Sequence, residues 1–175
     1  MATTSDPQSL AAHAKRIYES GDFLAASQAF AETAASFTEA GDKLMAAEMN
    51  NNQSVALLRA RQPQAALEAV AGTEAVFAEA GDFRRLGMAQ ANRASALEAL
   101  KHYPDAIAAY KEAGEALEKA GEDQLRVQVM QLLSALYLRR WKFLDAVITL
   151  QSGLAGVKNP TPKQRLMKKF LFFRL

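Results

Sequence analysis

Apolar residues recur along this chain in a pattern that returns every 40 positions. Four registers line up on one anchor: Phe23, Ala26 and Phe30; Pro63, Ala66 and Val70; Tyr103, Ala106 and Tyr110; Phe143, Ala146 and Leu150. Nine positions before each anchor stands a small residue, Ala14, Ser54, Ala94 or Ser134. Six positions before it stands a larger apolar one, Ile17, Leu57, Leu97 or Tyr137. Small against large at fixed offsets is what two helices need to interlock at about 8–10 Å. A constant period of roughly 20–50 residues marks a stacked array of supersecondary units.

The polar punctuation agrees with this. Glu39-Ala40-Gly41-Asp42, Glu79-Ala80-Gly81-Asp82 and Lys119-Ala120-Gly121-Glu122 separate the units. The glycines supply the positive φ that ends a helix. Asp42, Asp82 and Asp123 are placed to cap or charge the next N-terminus. Pro63 and Pro104 suit a first helical turn, where no intrahelical N–H is lost. The pattern predicts helices over 8–20, 23–40, 42–61, 63–80, 82–101, 103–120, 122–140 and 142–157. Asn159-Pro160-Thr161-Pro162 ends the array, and a final helix is predicted over 162–174. The organisation expected is a disordered stretch 1–7, a repeat domain 8–158, and a turn with a capping helix over 159–175.

These registers resemble the tetratricopeptide repeat (TPR), two antiparallel helices with an A-x3-F signature in the second. Ser20-Gly21-Asp22-Phe23, Ala26 and Phe30 carry the resemblance most fully, and Lys101-His102-Tyr103, Ala106 and Tyr110 carry it well. Arg61-Gln62-Pro63 and Trp141-Lys142-Phe143 lack the turn glycine. The repeat is longer than the usual ~34 residues and is similar to the long-helix variant of kinesin light chain-type arrays. The resemblance implies an all-α, right-handed α-solenoid of four helix pairs plus a C-terminal helix.

It also implies a concave groove lined by the first helix of each pair. The family's groove asparagine falls at Asn52 and Asn92, with Ala12 and Leu132 at the corresponding outer positions. An amide both donates and accepts, so it suits the backbone of an extended peptide. Helical spacing adds Asn51, Arg59, Gln128, Gln131 and Arg139 to the same face. The expected binding groove is therefore Asn51, Asn52, Arg59, Asn92, Gln128, Gln131 and Arg139, and its ligand a peptide or protein segment. The competing structural reading is that Asn52 and Asn92 bond between adjacent helices. A carboxylate clamp is not expected, since Glu48, Met88 and Gln128 stand where its cations belong.

Composition narrows the chemistry. Half the residues are hydrophobic, alanine leads them, and only 8% are aromatic, which favours helix. The absence of cysteine removes disulfides, thiolate metal sites and cysteine nucleophiles and fits a reducing, cytoplasmic setting. The first residues have no basic cluster with an apolar stretch, so no secretory signal is expected. The two histidines, His13 and His102, form no metal-ligand spacing, and no glycine-rich phosphate loop is present. A non-enzymatic protein without metal or cofactor is expected.

Charge is uneven. The last thirteen residues hold five of the 21 basic side chains and no acid, leaving 16 basic against 19 acidic elsewhere. An acidic body argues against nucleic acid. In the tail, Leu166, Phe170 and Phe173 share a stripe that would cap the array. The alternative function is docking to a membrane surface or partner through Lys163, Arg165, Lys168, Lys169, Phe170 and Phe173. So apolar a tail also favours a homodimer.

Overall fold

The computed structural model describes residues 6–172. Ten helices follow in order: α1 (Pro7–Ser20), α2 (Phe23–Glu39), α3 (Lys43–Arg59), α4 (Pro63–Val70), α5 (Thr73–Glu79), α6 (Phe83–Ala99), α7 (Tyr103–Lys119), α8 (Asp123–Arg139), α9 (Phe143–Ala155) and α10 (Pro162–Phe172). No strand occurs among the described residues, and none of these helices is long and apolar enough to cross a membrane. Four antiparallel pairs stack in sequence order with α10 at the end, forming an α-solenoid.

Each pair closes on its small residues. Ala14, Ala26, Ser54, Ala66, Ala94, Ala106, Ser134 and Ala146 are all buried. Where the first helix carries serine, its hydroxyl donates across the pair: Ser54 to the Ala66 carbonyl at 2.8 Å and Ser134 to the Ala146 carbonyl at 2.9 Å. Apolar side chains fill the space on either side. The largest cluster runs through α6 to α9 and includes Leu97, Tyr110, Leu117, Met130, Leu133 and Tyr137. A second joins α1, α2 and α3 through Phe30, Phe37 and Met49.

The helix ends follow the punctuation. Asp22, Asp42 and Asp82 accept from the backbone N–H three residues on, at 3.1, 3.0 and 2.9 Å. The Arg85 backbone N–H holds the Asp82 carboxyl below the usual carboxylate range, helped by the Arg85 guanidinium. Gly21 turns the first pair at φ 91°, whereas Arg61, Lys101 and Trp141 take the same left-handed role at φ 60°, 66° and 61°. A side chain there costs roughly 1–2 kcal/mol, so the missing turn glycines are tolerated rather than bypassed.

Two expectations need correction. The predicted helix 63–80 is two helices, broken at Ala71 and Gly72. Gly72 adopts φ 78°, and the buried Thr73 hydroxyl donates to the Val70 carbonyl at 2.8 Å, satisfying a group the helix has released. The N-terminal helix begins earlier than expected, at Pro7, because Asp6 accepts from the Ser9 N–H at 3.3 Å. Residues 1–5, predicted disordered, lie outside the described residues.

Met130 is a shared contact between pairs. A Cβ on Gly153 would lie 2.6 Å from Met130 Cβ, and one on Gly114 would lie 2.4 Å from Met130 Cε. The first clash is with an atom fixed to the backbone, the second with the free end of a flexible chain. Gly153→Ala should destabilise the fold by about 1–3 kcal/mol. Gly114→Ala should be near neutral, as Met130 swings aside and alanine's helix propensity returns up to ~1 kcal/mol. Denaturant unfolding of both variants checks this ordering; equal midpoints would overturn it.

Candidate functional site

Among the first helices, polar contacts one repeat apart join α3 to α6 and α6 to α8. Arg85 of α6 reaches Glu48 of α3 at 2.7 Å while also holding Asp82 at 2.8 Å. Asn92 Nδ2 donates to Asn51 Oδ1 at 2.8 Å. Arg139 of α8 pairs with Glu98 of α6. Behind this row, Arg93 of α6 sits between Glu74 of α5 at 2.7 Å and Glu112 of α7 at 2.6 Å. Burial raises the Glu74 pKa against the opposing pull of Arg93.

At the N-terminal end the row opens into a concavity of about 540 Å³ between α1 and α3. Ala11, Ala12, Tyr18, Phe30, Met45, Met49 and Val55 give it an apolar lining, and Gln8, Lys15, Glu48 and Asn52 supply polar groups. It exists because the small Ala11 and Ala12 of α1 face the long side chains of α3 and leave the space between them unfilled. An apolar floor with a few polar groups is the usual make-up of a ligand pocket.

The sequence-derived groove residues do not converge on one site. Asn52 lines the concavity. Asn51, only 4% exposed, is consumed with Asn92 in tying α3 to α6. A bond between helices was therefore the right alternative for Asn92, but its partner is Asn51, because a step of one residue turns a helix by about 100°. The Arg59 guanidinium lies over the Phe23 ring at 4.5 Å, and Arg139 is engaged by Glu98. Gln128 is exposed and Gln131 half-buried on α8, and neither lines the concavity. Tyr18, Met45 and Met49 were missed. The available signal was the Ala11-Ala12 pair, which leaves a gap in an otherwise large-against-small pattern.

The tail is also arranged differently from its predicted stripe. Met167 and Leu171 pack beside Val127, Leu154 and Val157, and the buried Gln164 donates to Gln124 at 2.9 Å. Leu166 and Phe170 are exposed, as are Lys163, Arg165 and Lys169. Lys168 is half-buried and donates to the Val157 carbonyl at 3.5 Å. The seated stripe is 164, 167 and 171 rather than 166 and 170, one helical step around; Phe173 lies outside the described residues. No group of three or more acidic or histidine side chains among the described residues is placed to hold a metal.

The family model for the soluble NSF attachment protein, SNAP, matches residues 4–154. The chain belongs to the SNAP family. The crystal structure of a putative kinesin light chain with nearly identical TPR-like repeats, from Podosopora anserina, is similar at a TM-score of 0.74 and 17% identity. The similarity covers 98% of this chain and 87% of that one, and at this identity it speaks for the fold alone. No curated protein matches the sequence. Family and fold together establish a TPR-type repeat protein, a class that serves in general as a scaffold for protein interaction.

Within this SNAP-family array, Tyr110 marks how tightly the third pair is closed. Its hydroxyl donates to Glu98 Oε2 at 3.1 Å and lies 3.1 Å from Ser95 Oγ. Burial pushes its pKa up to about 12. In the unfolded chain the phenol ionises near the ordinary ~10, so the unfolded state loses its proton first as pH rises. The contribution of this group is complete below the unfolded value and is lost between about 10 and about 12. Absorbance titration near the phenolate band should show one late-titrating tyrosine that Tyr110→Phe removes. That variant should also show a shallower stability loss in the same window. An unchanged titration would overturn the assignment.

Proposed function

We propose that this chain is a non-catalytic adaptor that holds a segment of a partner protein against its first-helix face, seated in the concavity between α1 and α3. The observation that carries the reading is the concavity itself, about 540 Å³ with an apolar lining and Asn52 within it. Its volume suits one large apolar side chain and the neighbouring backbone. The Asn52 amide can both donate to and accept from that backbone. No cofactor or nucleic acid enters this reading, and the setting we propose is the cytoplasm, which a chain without cysteine suits. The Asn51–Asn92, Glu48–Arg85 and Glu98–Arg139 contacts keep the remaining first helices, α3, α6 and α8, in register.

Panning a random peptide library on the wild-type protein and on Ala12→Trp tests the reading. Ala12 is exposed on α1 at the concavity, so the indole fills the space without entering a packed core. Peptides carrying a large apolar residue should be enriched on the wild type, and Ala12→Trp should weaken them at least roughly tenfold, about 1.4 kcal/mol. Equal enrichment on both proteins would overturn the site.

A second reading rests on α10, where Phe170 is 74% and Leu166 57% exposed beside Lys163, Arg165 and Lys169. This is the composition of a contact with an anionic membrane surface. Co-sedimentation with phosphatidylserine-rich vesicles should be salt-sensitive and should fall in Phe170→Ser; binding unaffected by that change would exclude the reading.

A further inference from the structure

The last helix pair carries an apolar patch that the other three lack. It consists of Leu138, Trp141, Phe143, Leu144, Val147 and Ile148, all exposed, with Trp141 at 80% and Leu144 at 73%. The repeat provides its own controls. The positions of Trp141, Leu144 and Ile148 are exposed in every pair. There they hold Gly21, Leu24 and Gln28, then Arg61, Gln64 and Glu68, then Lys101, Pro104 and Ala108. Apolar character at all three is peculiar to the last pair and is not an accident of the array's end. Phe143, Val147 and Leu138 differ in kind: their counterparts Tyr103, Ile107 and Glu98 are half-buried. At the end of the array these positions open up and join the first three. On the helical wheel Phe143, Val147, Leu144 and Ile148 span roughly 140°, wide enough for a helix-packing face.

We propose that this face is covered by a second copy of the chain, with α9 lying antiparallel to its counterpart about a two-fold axis. Three observations favour this occupant. The first is electrostatic. The thirteen residues of α9 include one charge, Asp145. The cations beside the patch are turned back onto the array, Arg139 on Glu98 and Arg140 over Tyr103 at 4.5 Å in the preceding pair, and Lys142 near Tyr137 at 5.9 Å in its own. A face with its charges occupied in this way has little to select an acidic partner or an anionic lipid, but it is complementary to itself.

The second is area. Exposed fractions weighted by the ~150–250 Å² of a large side chain give roughly 600 Å² per copy. A symmetric pair therefore removes up to about 1,200 Å², the lower bound for a specific interface. The third is the other end of the array. The exposed residues of α1 include Gln8, Ser9, His13 and Arg16, so head-to-tail stacking would set this apolar face against a polar one. A two-fold pairing uses the same face twice and closes. Antiparallel α9 helices also oppose their dipoles favourably.

Sedimentation velocity from low to high micromolar concentration tests the proposal. The wild type should pass from monomer to dimer across that range. Leu144→Gln with Ile148→Glu should stay monomeric at every concentration, with unchanged helicity and melting, since glutamine and glutamate already occupy these positions in the second pair. The chain has no cysteine, so Leu144→Cys provides a geometric test. Oxidation should give a covalent dimer, whereas Glu115→Cys, on the exposed surface of α7, should not. A wild type that remains monomeric overturns the proposal. So does a doubly substituted protein that still dimerises, or a monomer whose patch instead carries it onto phosphatidylserine-rich vesicles.

Discussion

The closest approach of the two helices in each pair governs everything else in this structure. It occurs where a small residue of the first helix meets a small residue of the second, twelve positions later, as the Ser54–Ala66 and Ser134–Ala146 bonds show directly. Nothing larger than serine fits at this distance, and the serine hydroxyl is accepted only because a carbonyl lies opposite. An unpaired hydroxyl there would cost about 1–3 kcal/mol. With the spacing set, the larger residues six before each anchor and seven after it have one way to interlock. Four pairs of nearly identical shape can then stack with a constant offset, and a constant offset is what produces a continuous face of first helices.

That face is held in a different way from the core behind it. Between repeats the core contacts are apolar, as Met130 of α8 against Gly114 of α7 illustrates. The first helices are instead joined by pairs of polar groups: Glu48 with Arg85, Asn51 with Asn92, Glu98 with Arg139. Most of these are partly open to solvent, so each contributes modestly to stability. Their larger effect is on register. An apolar contact tolerates sliding, whereas an amide pair or an ion pair is satisfied in one alignment. The concavity between α1 and α3 persists because the polar row ends there, and Ala11 and Ala12 offer neither bulk nor a partner to close it.

The sequence shows the fold more readily than the site for the same reason. Packing positions repeat, so they can be read from their period, and all nine predicted segments match helices to within two residues at their N-terminal ends. Gly72 shows the limit on that side. Gly114 and Gly153 remain inside helices, so glycine alone does not predict a break. The break at 71–72 depends on Thr73 being buried where its hydroxyl can take up the Val70 carbonyl, a tertiary fact. In the groove, a one-residue difference separates Asn51, which holds the next helix, from Asn52, which faces the concavity. Spacing places a residue on a face but does not fix the rotation of that face finely enough to separate neighbours. Arg59 and Arg139 were legible as cations on the right helices. That an aromatic ring and a carboxylate already engage them was not.

A repeat protein separates its constraints by position, and this makes its exceptions informative. Positions such as Ala26, Ala66, Ala106 and Ala146 cannot vary without opening the pair, whereas outward positions such as Gln28, Glu68, Ala108 and Ile148 have no packing reason to be anything in particular. When three outward positions of a single pair turn apolar together, stability of that pair is a poor explanation, because each of the other pairs has a polar or small residue at two or more of them. The array thus presents chemically distinct regions on one rigid stack: a concavity with an amide at its first pair and an uncharged apolar face at its last. The largest core cluster, from α6 to α9, adjoins that apolar face, so binding there acts on the most continuously packed part of the molecule. The concavity lies over the separate cluster of α1 to α3. Two surfaces carried by separate clusters can be occupied together without either having to deform the other, which is the physical requirement for a protein that joins others.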